Sequence, residues 1–162
     1  MVDLEKAITA LADNDVDYVV VGGVAITLHS TAYITRDLDF CYSRKNDNLS
    51  RLVRALGSFS PRPRNFPKEL SFLFDETPLR NGTNFAFETE IGDIDLLGEV
   101  KGIGDYDSVV AQSEVYEIYG RSVKALTLDA LIIAKTAADR PKDHLVLPEL
   151  YALKEALDPN EE

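Results

Sequence analysis

The sequence predicts an α/β (α+β) domain, a mixed, twisted sheet with helices mainly on one side. Three observations carry this. Residues 17–21 read Asp-Tyr-Val-Val-Val and end at Gly22-Gly23; a β-branched apolar run closed by glycines is the mark of a buried strand. Residues 33–42 and 93–97 alternate Asp with Leu, Phe and Ile, as strands with one buried face do. Residues 3–13, 49–59 and 127–139 carry apolar side chains three and four apart, the period of amphipathic helices. The 162 residues, 45% hydrophobic, suffice for one core. They read as a single domain over 1–162, with C-terminal helices from about 127.

In order, Leu4, Ala7, Ile8 and Leu11 define a first helix, with Asp3 as its N-cap. A strand follows over 17–21, then a helix from Val24 to Ser30 opened by the glycines, then a strand from Tyr33 to Tyr42. Leu49, Leu52, Val53 and Leu56 share a face of the next helix, which Asn48 or Asp47 can cap. Pro61, Pro63 and Pro67 make residues 60–67 an irregular loop carrying Arg62 and Arg64. Leu70–Phe74 reads as a short strand or helical turn, and Thr77–Gly82 as a turn or brief helix. Asn84–Thr89 and Asp93–Leu97 form a hairpin in which Gly92 supplies positive φ. Residues 102–107 read as a glycine-rich loop, and 113–119 with 121–125 as a second hairpin about Gly120. Thr127 caps a helix to Asp139, and Pro141 opens a last helix, 141–157.

Seventeen basic and 28 acidic residues give a formal charge of −11. That disfavours wrapping a nucleic-acid backbone over a broad face; its plain reading is solubility. No apolar run approaches the roughly 20 residues of a membrane span. The first residues lack the basic start and small-residue cleavage site of a signal peptide, and the single cysteine, Cys41, suits a reducing compartment. A cytoplasmic protein that does not engage a membrane is expected.

The chemistry sits in the acidic strands. Asp37 and Asp39 are two apart, so on a strand their carboxylates share a face. Adjacent carboxylates need a cation, a shared proton or water, and Mg²⁺ prefers such hard oxygen ligands together with substrate phosphates. Gly22-Gly23 after a strand allows close backbone approach to a phosphate. Asp93 and Asp95 also share a face. If their strand lies beside that of Asp37 and Asp39, the carboxylates meet as two-metal phosphoryl transfer requires. Each feature has a plainer reading: Asp93 as a turn residue, Glu99 as surface, Lys135 as a snorkelling lysine, Arg140, Lys142 and Asp143 as a helix-start charge cluster. His29 and His144 are isolated, and Cys41 reads as buried and inert.

Taken together, the ordered set of Gly22-Gly23, Asp37-Leu38-Asp39 and Ile94-Asp95-Leu96-Leu97 resembles the nucleotidyltransferase superfamily, whose fold is shared with DNA polymerase beta. The segments Thr35–Asp39, Gly92–Glu99 and Leu131–Asp143, with Lys135, Arg140, Lys142 and Asp143 as Lys-x4-Arg-x-Lys-Asp, resemble more closely the abortive-infection toxin branch of AbiEii type. The resemblance implies a Mg²⁺-dependent transfer of a nucleoside monophosphate from a nucleoside triphosphate to an acceptor hydroxyl. It implies Asp37, Asp39 and Asp95 as metal ligands and catalytic groups, and Lys135 as a catalytic contact to the triphosphate. Gly22, Gly23, Thr35, Arg140 and Asp143 would bind or orient the nucleotide. The implied acceptor is an RNA end (tRNA) or a protein, and the setting a toxin–antitoxin or phage-defence system with an antitoxin partner. Tyr33 stands where superfamily members often carry arginine, and the C-terminal helical domain of the larger toxins has no counterpart here. The alternative reading is a non-catalytic module on the same fold that binds nucleotide or a partner.

Overall fold

The computed structural model describes residues 1–29 and 36–157. Helix α1, Leu4–Asp13, starts where Asp3 accepts a hydrogen bond from Lys6 N, and buries Ala7, Ile8 and Leu11. Strand β1, Tyr18–Val20, leads through Val21 and Gly22 into helix α2, Gly23–Thr27. Strand β2 is Leu38–Tyr42. Helix α3, Asn46–Leu56, continues as a 3-10 turn over Gly57–Phe59. Strand β3, Arg62–Pro63, helix α4, Glu76–Asn81, and strands β4, Asn84–Thr89, and β5, Gly92–Leu97, follow. Strands β6, Glu99–Val100, and β7, Gly104–Asp105, form a small ribbon ahead of helix α5, Tyr106–Ala111. Strands β8, Ser113–Ile118, and β9, Arg121–Leu126, precede helices α6, Leu128–Ala138, and α7, Pro141–Leu157.

Seven strands make one mixed sheet in the order β3-β4-β5-β2-β1-β9-β8. β2 runs parallel to β5 and β1 parallel to β9, while β1–β2, β4–β5, β3–β4 and β8–β9 are antiparallel. The two acidic strands are therefore central neighbours. The alternation explains why. Leu38, Phe40, Ile94 and Leu96 are fully buried, and a period of two turns the intervening Asp39 and Asp95 to the other face. Burial of these side chains with Ile8, Leu11, Leu49 and Leu52, each contributing about 2 kcal/mol, holds the strand pair in register. Helices α1 and α4 each pack on α3, α5 leans on β1, β2 and β9, and α6 pairs with α7.

Several local expectations are corrected. The acidic strand begins at Leu38 among the described residues, so Asp37 lies in the bend before it. Helix α3 starts at Asn46, which places Asp47 and Asn48 inside it. Asn48 is fully buried and bonds the backbone: its Oδ1 accepts from Asp17 N at 2.7 Å, and its Nδ2 donates to Asp17 O and Ser43 O at 3.1 and 2.8 Å. The proline loop contains β3, because Pro63 is tolerated on a sheet edge, where its missing N–H faces no partner. Residues 102–107 hold β7 and the start of α5, whose cap is Asp105 accepting from Ser108 N. That helix buries Val109 alone, too little periodicity to read from sequence. Leu70–Phe74 is irregular.

Candidate active site

The site begins where β1 stops. Val21 N donates to Asp39 O at 3.0 Å, so the chain turns at Gly22 directly over the Asp39 side chain. A β-carbon at Gly22 would lie 2.7 Å from Asp39 Cγ, which no other residue could accommodate without moving the carboxylate.

Asp39 and Asp95 are direct partners in the parallel β2–β5 ladder, and their carboxyls interact across it. Burial first, and then the Asp95 carboxylate beside it, pushes the Asp39 pKa up to about 6; Asp37 adds to the effect and Lys135 opposes it. The pair therefore holds more negative charge than its surroundings neutralise, the condition that favours a cation.

Helices α6 and α7 supply the opposite wall. Lys135, in the last turn of α6, places Nζ 3.1 Å from Asp143 Oδ1. Asp143 is fully buried and also accepts from Arg140 Nε at 2.7 Å, from the second guanidinium nitrogen at 3.1 Å and from Arg140 N at 3.1 Å. Burial alone would raise its pKa, but the bonds from Arg140 and Lys135 outweigh that and hold it at about 2. Asp143 thus anchors two cations, both of which act electrostatically on Asp39.

Gly22, Gly23, Asp37, Asp39, Asp95, Lys135 and Arg140 line one cleft of about 640 Å³, and Asp143 stands behind Lys135 and Arg140. Thr35 and Tyr33 lie outside the described residues. Glu99 and Lys142 also reach the cleft, whereas Asp93 pairs with Arg64 at 3.4 Å. Cys41 is buried, and burial pushes its thiol up to about 12. His29 lies within hydrogen-bond reach of Leu126 O, edge-on to Tyr116, and His144 pairs with Asp139 at 2.6 Å.

The sequence reading missed Arg64 as a site residue. Its guanidinium donates to Asp95 Oδ1 at 2.8 Å. The signal was the second of two arginines interleaved with prolines, and its reach depends on the β3–β4 pairing. Among the described residues, no three His, Cys, Asp or Glu side chains stand in a closed metal-ligating group. Asp39 and Asp95 nonetheless present hard oxygen donors with unbalanced negative charge, which fits a divalent cation of the Mg²⁺ type.

With this geometry in place, solved structures supply the class: the chain has the fold of nucleotidyltransferases. A lincosamide antibiotic adenylyltransferase, LnuA, bound to lincomycin, superposes with a TM-score of 0.57 at 12% identity, over 90% of this chain and 92% of that one. The antibiotic-resistance factor ANT(2'')-Ia, in complex with adenylyl-2''-tobramycin, gives 0.54 at 18% identity, over 94% and 86%. An antigenic nucleotidyltransferase-like protein from Paracoccidioides brasiliensis gives 0.57 at 16%, over 94% and 77%. No protein-family model and no curated protein sequence matches the chain. No described helix is long and apolar enough to cross a membrane.

Proposed function

We propose that the protein transfers a nucleoside monophosphate from a nucleoside triphosphate to an acceptor hydroxyl, releasing pyrophosphate. The observation that carries this reading is the Asp39–Asp95 pair, facing Lys135 and Arg140 across a single cleft that Gly22 and Gly23 border. Carboxylates on one wall and cations on the other suit a metal–triphosphate complex, whose charge is distributed in the same way. Asp37, Asp39 and Asp95 would hold Mg²⁺, which when bound supplies charge neutralisation for the phosphates and a more acidic acceptor hydroxyl. Lys135 and Arg140, fixed by Asp143, attract and orient the phosphates. Gly22 and Gly23 give the phosphates room beside the carboxylates, and Thr35 contributes to nucleotide binding.

The acceptor is an RNA end, a protein side chain or a small hydroxylated molecule of the kind the antibiotic adenylyltransferases modify. An RNA or protein acceptor fits a toxin with a cognate antitoxin, acting in the cytoplasm. Incubating the protein with each α-labelled triphosphate, Mg²⁺ and separate pools of RNA, protein and aminoglycoside or lincosamide tests this. Label should enter one pool and be lost with Asp39→Ala. Absence of both transfer and triphosphate binding would sink the reading. Because Arg64 holds Asp95, a nucleotide-binding module without turnover is the second reading; it predicts triphosphate binding with no pyrophosphate release.

A further inference from the structure

We propose that Arg64 is a built-in counterion of Asp95 that a divalent cation must displace, which makes it a positioning residue that sets the cation affinity of the cleft. The inference rests on reading Asp39 and Asp95 as metal ligands.

A row of residues crosses the sheet. Val21 N bonds Asp39 O. Asp39 pairs with Asp95, Asp95 with Ala86, and Arg64 N donates to Ala86 O at 2.8 Å. Partners at one level of a ladder point to the same face. Arg64, Ala86, Asp95 and Asp39 therefore stand side by side on the cleft face. Between arginine and aspartate there is only a methyl group. A larger side chain at position 86 would stand in the path of the guanidinium.

The grip itself is incomplete. One nitrogen of Arg64 makes an aligned bond to Asp95, while Nε lies 3.4 Å from Asp93 Oδ2 and, although buried, has no hydrogen-bond partner among the described residues. A full two-bond fork on one carboxylate, the stable form of such a pair, is absent. One positive charge also serves a cluster of Asp95, Asp93 and Asp37. A doubly charged cation satisfies the Asp39–Asp95 pair better than Arg64 does. The backbone of Arg64 is fixed to β4, but its side chain is about a third exposed, at 32%, and can pivot. On release it keeps Asp93 as a partner.

The test is Mn²⁺ binding to the full chain without nucleotide, read by the electron paramagnetic resonance of free Mn²⁺. Arg64→Met should bind Mn²⁺ about tenfold more tightly or better, because a positive charge within hydrogen-bonding distance of a ligand has been removed. Ala86→Val, which leaves Arg64 in the chain and suits a strand, should tighten binding in the same direction. Arg64→Lys should stay near wild type. Asp39→Asn should weaken binding in every background. Unchanged or weaker binding in both Arg64→Met and Ala86→Val, with Asp39-dependent binding retained in wild type, overturns the counterion role and leaves the metal reading standing. Absence of Asp39-dependent binding in all variants overturns both.

Discussion

Gly22 and Asp39 are packed so closely that a β-carbon on the glycine would lie 2.7 Å from the carboxylate carbon. The glycine is thus part of the wall that orients Asp39, besides being the turn out of β1. Gly22→Ala should push the carboxylate out of line with Asp95. The expected outcome is a loss of the proposed nucleotidyl transfer of about a hundredfold, the usual cost of a small misplacement at a reacting centre. Unfolding free energy should fall by only about 1–3 kcal/mol, as for a local overpacking. Steady-state kinetics and urea denaturation on the same preparation check both.

Asp39 makes metal-free stability depend on pH. Its folded pKa, about 6, lies above the ordinary value of 3.8. Its contribution is therefore fully present below pH about 4 and is lost as the pH rises through about 6. Asp39→Asn removes that loss. In chelator at pH 8 the variant should be more stable than wild type by on the order of 2 kcal/mol, and at pH 4 the advantage should vanish. Thermal melts across that range test the sign; a variant less stable than wild type at pH 8 contradicts it.

Asp143 runs the other way. Its pKa, held at about 2, is below the ordinary value, so its contribution is complete above pH about 4 and disappears as the pH falls through about 2. Asp143→Asn leaves Lys135 and Arg140 without their shared anion. A cost of about 3 kcal/mol is expected from breaking a buried ion pair on one side. Triphosphate affinity should fall as well, because both cations lose their orientation. Urea denaturation at pH 7 and isothermal titration with triphosphate measure the two effects.

Asn48 offers a stability control far from the chemistry. It ties α3 to the backbone on either side of β1 and β2 through Asp17 and Ser43. Asn48→Ala removes these bonds, strands the carbonyl of the buried Ser43 and should cost about 2–4 kcal/mol, while the triphosphate dissociation constant measured below the melting temperature stays within about twofold.

Much of this architecture was legible because it rests on local patterns. The Asp3 and Thr127 caps, the Gly92 hairpin and the Asp93-Ile94-Asp95 alternation each need only a few neighbouring residues, and each appears where expected. The pairing of Asp39 with Asp95 was a conditional expectation that the sheet order fulfils. Arg64 was out of reach, because its partner is chosen by a two-residue edge strand that prolines seemed to forbid. The Asn48 bracket was misread for a related reason. A polar residue near a helix start suggests a cap, and only the tertiary arrangement shows it folded inward. Asp143 was expected to orient nucleotide or basic groups, with a helix-start charge cluster as its plainer reading; its complete burial between Arg140 and Lys135 depends on how α6 meets α7.

The cleft also has a fixed gauge. Asp39 and Asp95 project from adjacent strands at the centre of the sheet, so the span between their backbones is the inter-strand repeat of about 4.8 Å, set by main-chain hydrogen bonds. Side-chain rotation adjusts that distance only slightly. The surrounding walls come from separate segments, Asn84–Ala86 of β4, Glu99–Lys101 and the α6–α7 pair. Sequence change in those walls can retune what enters the cleft, while the ruler at its floor keeps its length as long as the sheet holds.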